Sequence, residues 1–390
     1  MKILLLQPKM NWHRPYCETP SIALLTLAAM AKEHEVKVRH LDIDGVFVDD
    51  FKWADLVGIT CNTFQVKDAR ILVSAIRNNS KARIILGGPH AIAWDMEKDG
   101  KVDQLVIGEG EKAWAEIVGC EAPKKIDDVP MPDYSLVDMD RFCGVRPLGT
   151  VPSMVMFCAR GCPGQCIFCN TPVLWGNKAR YRDPLNIVQQ IELFNKQFGA
   201  REVFFQDDTF NANLPWATEI FQRMIARRFY EKMVFRIDCR TNEKMLTEKF
   251  LELAKKAGVW SIFLGIESGS QKMLDGMKKH TTVEENKRAI QLCHQYGIQV
   301  QAAYVIGLPG ETKETLAETQ KFITENQTQV LGCGFATPFP ATELDRIVTA
   351  KGHKKNVDYA DYRYGDLLVR TDELTYEDLA AVRLTPAGRN

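Results

Sequence analysis

Short apolar runs alternating with amphipathic stretches, set out in two blocks with a proline-rich segment between them, limit the folds open to this chain more than any other feature. In the first block the runs cover residues 2–7, 36–42, 54–60, 82–86 and 104–107, with helical patterns over 21–34, 68–78 and 111–118 between them. That β-α order predicts an α/β fold with a doubly wound parallel sheet, whose ligands bind at the strand carboxyl ends. The second block has six runs, 153–158, 202–206, 234–238, 261–266, 299–306 and 330–337, separated by stretches such as 185–198 and 249–257 that are apolar at helical spacing. Six units fall short of the eight of a closed barrel, so this block is predicted to be a partial (β/α)6 barrel with a lateral mouth. The resulting division is residues 1–120, a linker over 121–149, a barrel over 150–349 and a C-terminal extension over 350–390. The prolines of Asp127-Asp-Val-Pro-Met-Pro-Asp-Tyr134 keep the linker out of helix, and 374–383 reads as a short capped helix.

Directly after the run 153–158 stands Arg160-Gly-Cys-Pro-Gly-Gln-Cys-Ile-Phe-Cys-Asn170, with Cys162, Cys166 and Cys169 in one loop. A cubane iron-sulfur cluster takes four thiolates, so a loop offering three leaves one iron open to substrate or cofactor. Gly161, Pro163 and Gly164 keep the segment irregular. A zinc site is the competing reading and would need a fourth ligand, for which Cys158 is the candidate. In a strand, however, Cys158 shares a face with Met154 and Met156, which reads as a buried apolar position.

Lysine plus arginine and aspartate plus glutamate each number 50, so the formal net charge is zero and no electrostatic surface for nucleic acid is expected. The apolar run 22–31 is too short to span a bilayer and has no basic leader. Eleven cysteines in such a chain suit a reducing compartment, and a cytoplasmic protein is predicted.

The strand ends of the second block carry polar residues suited to a zwitterionic, cationic ligand. Asp207 and Asp208 can hold an ammonium, and Arg240, in Arg236-Ile-Asp-Cys-Arg-Thr-Asn242, can pair with a carboxylate. Glu267 and Ser268, in Gly265-Ile-Glu-Ser-Gly-Ser270, can bind hydroxyls. Ile306 and Gly307, in Tyr304-Val-Ile-Gly-Leu-Pro-Gly-Glu311, allow a flat base to approach the backbone. Each of these segments alone is also an ordinary turn after a strand.

Taken in order, these motifs resemble the radical SAM enzymes, in the subfamily whose barrel follows a cobalamin-binding domain. The resemblance rests on C-x3-C-x2-C after the first barrel strand, the acidic pair, Gly-Ile-Glu-Ser-Gly-Ser and Gly-Leu-Pro-Gly-Glu. Further matches are Trp175-Gly, Arg180-Tyr-Arg182, His280 and Thr337-Pro-Phe-Pro-Ala-Thr-Glu343, with Ala341 standing where a glycine is usual. It implies a [4Fe-4S] cluster on Cys162, Cys166 and Cys169, and S-adenosylmethionine held by Asp207, Asp208, Arg240, Glu267, Ser268, Ile306 and Gly307. It also implies cobalamin at Thr60, Cys61, Asn62, Thr63, Gly87, Gly88, Pro89, His90, Gly108 and Glu109. The Asp-x-His-x-x-Gly element that ligates cobalt in other proteins is missing, and His13 has no such context, so the implied cobalamin is bound without histidine, or the domain holds none. An electron donor such as flavodoxin or ferredoxin and a small-molecule, lipid or peptide substrate complete the implied partners.

Three readings stay open. The first is a cobalamin-using radical SAM enzyme that methylates an unactivated carbon, the cofactors supplying the difficult chemistry. The second is a radical SAM cyclase, dehydrogenase or rearrangement enzyme. The third is a metal-binding or redox-sensing module without turnover. No general acid or base is assigned, although Tyr304, Cys239 and Cys333 lie near strand ends.

Overall fold

The computed structural model describes residues 1–11, 19–142, 152–326 and 329–382. His13 and the last part of the expected linker lie outside them, as does the side chain of Cys333. The chain divides into two units, Met1–Gly149 with Asn356–Tyr364, and Thr150–Lys355 with Gly365–Asn390.

The first unit is a five-stranded parallel sheet of β1 (Lys2–Gln7), β2 (Glu35–His40), β3 (Leu56–Thr60), β4 (Arg83–Gly87) and β5 (Gln104–Leu105), ordered β2-β1-β3-β4-β5. Ile3 to Leu6 are fully buried in succession, as expected of a strand covered on both faces by helices. Those helices are α1 (Ile22–Met30), α2 (Val48–Trp53), α3 (Val66–Asn79) and α4 (Glu111–Val118). Ser21 caps α1 by accepting from the Leu24 N–H, and α4 ends at Gly119 in the left-handed conformation. The sequence pattern missed α2, which has only six residues and presents only Asp50 and Phe51 to the interior.

Residues 121–142, expected to be an extended linker, instead form three short 3-10 turns. Ile126, Val129 and Tyr134 are buried there, and the Asp133 N–H donates to the Leu25 carbonyl at 3.0 Å. Prolines exclude a long helix but not single turns. Residues 356–364 also belong to this unit, with Tyr359 and Ala360 packed on its core. Asp358 pairs with Arg70 at 2.7 Å and with Lys98. Burial would raise the Asp358 carboxyl, but the Ala360 N–H and the two cations outweigh it and hold the group well below the usual carboxylate range.

The second unit is a six-stranded parallel half-barrel. Its strands are β6 (Ser153–Met156), β9 (Glu202–Phe205), β10 (Val234–Cys239), β11 (Val259–Glu267), β12 (Gln299–Ile306) and β13 (Gln329–Phe335), ordered β13-β12-β11-β10-β9-β6 with β6 and β13 at the edges. A small antiparallel pair, β7 (Ala159–Arg160) with β8 (Arg180–Tyr181), was not anticipated; two-residue strands leave no periodic signal. The helices are α5 (Thr171–Trp175), α6 (Pro184–Phe198), α7 (Leu214–Ala226), α8 (Glu248–Lys256), α9 (Gln271–Gly276), α10 (Val283–Gln295), α11 (Lys313–Asn326), α12 (Glu343–Ala350) and α13 (Tyr376–Ala380). No helix among the described residues is long and apolar enough to cross a membrane.

Alternation along β10 sorts its side chains. Phe235 and Ile237 are fully buried, Phe235 against Phe205, while Arg236 and Asp238 take the opposite face. Arg236 Nε lies 2.7 Å from Glu202 Oε1, with both residues buried, and the Trp260 indole donates to the same oxygen at 3.0 Å. Removing one member of such a pair strands the other charge. Arg236→Met is therefore expected to lower unfolding stability by about 3 kcal/mol, measured by urea denaturation. Ala341, the departure from the usual glycine, has φ +63°, where a Cβ is strained. Ala341→Gly is expected to raise stability by up to about 1 kcal/mol in the same assay.

Candidate active site

The carboxyl ends of the half-barrel strands meet the cysteine loop, which runs irregularly from Gly161 to Asn170. Gly161 has φ +89°, and a Cβ there would stand 2.6 Å from the Lys178 carbonyl oxygen, so the corner requires glycine. Ile167 anchors the middle of the loop. Its N–H donates to Met277 O at 3.1 Å, its carbonyl accepts from Leu344 N at 2.8 Å, and its side chain joins Met273, Leu274 and Leu308 in a buried cluster.

Cys162, Cys166 and Cys169 are free thiols of intermediate exposure on this one loop. Each sulfur meets a polar group from a different residue. Cys162 Sγ lies 3.3 Å from Thr209 Oγ1 and also accepts from Gly164 N at 3.3 Å. Cys166 Sγ lies 4.0 Å from an Arg240 guanidinium nitrogen. The Cys169 thiol is raised by burial, an effect opposed by hydrogen bonds from the Thr171 hydroxyl and N–H. No group of three or more His, Cys, Asp or Glu side chains stands gathered at metal-binding distance among the described residues. The three thiols thus share one loop without being closed into a ready-made site. Cys158 differs from them: it is fully buried, and burial, with Asp207 nearby, pushes its thiol well above the ordinary value.

The acidic pair is split. Asp207 is 1% exposed, and its Oδ1 accepts from Cys158 N and Ala159 N, both at 2.7 Å. Burial pushes its carboxyl up to about 7. It was expected to face a ligand's ammonium, but the structure turns it beneath the loop, because two buried N–H groups need an acceptor. Asp208 stays exposed, with one oxygen accepting from the Thr171 hydroxyl at 2.7 Å.

Arg240 reaches over the loop. Its Nε donates to Asn242 Oδ1 at 3.0 Å and another guanidinium nitrogen to the Lys279 carbonyl, while Asn211 brackets its backbone N–H and C=O at 3.0 and 2.9 Å. Glu267 takes φ +63° at the end of β11, and its Oε1 pairs with Lys279 Nζ at 2.7 Å. Ser268, expected to meet a ligand hydroxyl, is turned into the interior. It is 1% exposed, and its hydroxyl bonds to Thr319 on α11 at 2.9 Å.

Gly307 is likewise covered, by Leu379 and Val369, with its N–H donating to Glu311. The Ile306 carbonyl accepts from Ala336 at 2.8 Å, which leaves little free backbone at that strand end. Tyr304 and Cys239, considered as proton donors, are buried. Sequence reasoning missed Asp238, which is half-buried on the same face of β10 as Arg236. Its Oδ1 is enclosed without a hydrogen-bond partner, and burial, then Asp207, push its carboxyl well above the usual range. The strand alternation of 236, 238 and 240 was the signal that would have found it.

In the first unit, Thr60, Asn62, Gly87, Gly88, Pro89, Gly108 and Glu109 are partly accessible at the ends of β3, β4 and β5. Cys61, Thr63 and His90 are buried. His90 has Nδ1 3.3 Å from Thr63 Oγ1 and its ring edge-on to Tyr359 at 4.9 Å. Burial, then Arg70, lowers it to about 4, so the imidazole is neutral and packed within the loop. Gly88 has φ +93° and sits so close to the Cys61 backbone that a Cβ would fall 2.8 Å from it.

The chain matches the Radical SAM superfamily over residues 156–323 and the B12 binding domain over residues 13–118. An uncharacterized methyltransferase of Pyrococcus horikoshii is 26% identical, with 93% of this chain and 85% of that protein covered. The anaerobic magnesium-protoporphyrin IX monomethyl ester cyclase of Cereibacter sphaeroides is 30% identical over 76% of this chain, which spans only 53% of that enzyme's length. Among solved structures, a radical S-adenosylmethionine methyltransferase of Kitasatospora setae with cobalamin and a [4Fe-4S] cluster bound has the same fold. Its TM-score is 0.69 at 20% identity, covering 91% of this chain and 79% of that one.

The contrast in thiol burial gives a direct check. Brief alkylation of native, metal-free protein followed by peptide mass spectrometry is expected to label Cys162, Cys166 and Cys169 well before Cys158, Cys239 and Cys293. Burial pushes the Cys293 thiol up to about 12.

Proposed function

Because the chain belongs to the radical SAM superfamily and carries a B12-binding domain ahead of the half-barrel, we propose that it is a cobalamin-using C-methyltransferase whose [4Fe-4S] cluster is ligated by Cys162, Cys166 and Cys169. The observation that carries the ligand assignment is the chemistry of the donor set. Three partly accessible thiols share one loop, and Cys158, just before it, is sealed away and disfavoured as a thiolate. Three thiolates leave one iron open, as a cluster that binds S-adenosylmethionine requires. When bound, the cluster and S-adenosylmethionine supply a 5'-deoxyadenosyl radical, and cobalamin supplies a methyl group.

The protein's own residues bind and orient. Arg240 presents a guanidinium beside Cys166, suited to a carboxylate. Asp208 keeps carboxylate surface exposed next to the loop, suited to an ammonium. Glu267, held by Lys279, offers acceptors for hydroxyls. Ser268 and Gly307 serve as packing behind that surface. In the first unit, Thr60, Asn62, Gly87, Gly88, Pro89, Gly108 and Glu109 would hold cobalamin, with no nitrogen ligand from His90.

Methylation is favoured by the names of relatives such as the Pyrococcus methyltransferase. The likeness to the Cereibacter cyclase supports a second reading, ring closure without methyl transfer. Anaerobically reconstituted protein is expected to hold about four irons per chain and to form 5'-deoxyadenosine on reduction with S-adenosylmethionine. Cys162→Ala, Cys166→Ala and Cys169→Ala are each expected to abolish both, while Cys158→Ala retains them. Label from methyl-labelled S-adenosylmethionine should appear in an acceptor if the enzyme methylates, and should not if it is a cyclase.

A further inference from the structure

Asp207, Asp208 and Thr209, just beyond the end of β9, touch the entry, the corner, the first sulfur and the exit of the cysteine loop. Asp207 Oδ1 accepts from Cys158 N and Ala159 N, both at 2.7 Å, at the loop's entry. The Asp208 carboxylate accepts from the Gly161 N–H at the loop's corner and from the Thr171 hydroxyl at its exit, the latter at 2.7 Å. Thr209 Oγ1 lies 3.3 Å from the first sulfur, Cys162 Sγ. Thr171, which Asp208 holds, also faces the last sulfur, Cys169. The segment carrying these groups is itself immobilised by Phe210, fully buried against Phe205, Trp216 and Phe221.

For Asp207 these contacts differ from what a ligand-binding acid would make, whereas Asp208 holds the loop and still keeps exposed surface. Asp207 has its second oxygen, Oδ2, enclosed without a hydrogen-bond partner, so neither oxygen is turned toward solvent. We infer that Asp207, Asp208 and Thr209 form a clasp that positions the cysteine loop, and that Thr209 through its hydroxyl and Thr171 through its N–H tune the bound cluster. The inference rests on the cluster assignment above. Within the irregular loop only short-range bonds, Gly164 N to Cys162 Sγ and Cys169 N to Cys166 O, are available to fix the sulfurs. The strand end adds carboxyl acceptors from outside, Asp207 at the entry and Asp208 at the corner and exit. In this structure the Thr209 hydroxyl donates to the Asp208 carbonyl at 2.5 Å; once Cys162 is a metal-bound thiolate it can only accept, so the hydroxyl proton must turn from that carbonyl to the sulfur for Thr209 to act as donor. Donation to a cluster sulfur favours the reduced state and raises the midpoint potential.

The test uses full-length protein reconstituted anaerobically with iron and sulfide. Iron content, the rate of cluster loss to a chelator and the midpoint potential from a redox titration followed by electron paramagnetic resonance are compared across variants. Asp207→Ala is expected to lose its cluster about 10-fold faster or more. Asp207→Asn, whose amide oxygen still accepts both N–H groups, should recover most of the retention. Thr209→Val should keep wild-type iron content with a more negative potential. If Asp207→Ala does not fold by circular dichroism, the Asn and Val variants decide the matter.

The inference is overturned if the variants keep wild-type retention and potential, and equally if their only defect is weaker S-adenosylmethionine binding in equilibrium dialysis. Wild-type protein that takes up no iron overturns the cluster assignment and the clasp with it. A wild-type cluster alongside unaltered variants overturns the clasp alone.

Discussion

One carboxylate oxygen sits where the sheet hands over to the loop. Asp207 Oδ1 takes the two N–H groups that β6 leaves unpaired as the chain turns toward the cysteines. Buried amides without acceptors cost about 1–3 kcal/mol each, so this contact decides where the loop leaves the half-barrel. Gly161 and the ladder between β7 and β8 come next in the chain, and Arg240 meets Cys166 further along the loop. The carboxylate is available there because parallel pairing of β9 between β6 and β10 brings its carboxyl end level with the end of β6.

The half-barrel's inner face carries charge in an uneven way. Along β10, Arg236 is neutralised by Glu202, Asp238 has an enclosed oxygen without a partner, and Arg240 is shared among Asn242, the Lys279 carbonyl and the cysteine loop. Charge is thus balanced at the amino end of the strand and left partly open toward the carboxyl end. A water-poor, incompletely paired region of this kind strengthens any electrostatic contact a ligand makes within it.

Both sheets, their parallel order and the position of the cysteine loop were legible in the sequence, because apolar runs alternating with amphipathic stretches leave few topologies. The motifs at the strand ends were equally legible as places, but not as orientations. Glu267 and Ser268 are adjacent, yet one faces Lys279 and the other is buried against Thr319, and only the turn at φ +63° separates them. His90 read as a loop residue because Gly87-Gly88-Pro89 precedes it; the ring that buries it, Tyr359, is far away in sequence. Asp238 was hidden for a related reason. A lone acid in a strand declares its face only when the strand's register is known.

The return of residues 356–364 to the first sheet makes that unit discontinuous: topologically, residues 150–355 are an insertion within it. A boundary drawn after the proline-rich segment would therefore amputate part of its core, removing Tyr359 from His90 and Asp358 from Arg70 and Lys98. Circular permutation, domain grafting or recombination between relatives would have to carry this distant piece along. The two halves of the chain are accordingly not free to be exchanged as separate modules.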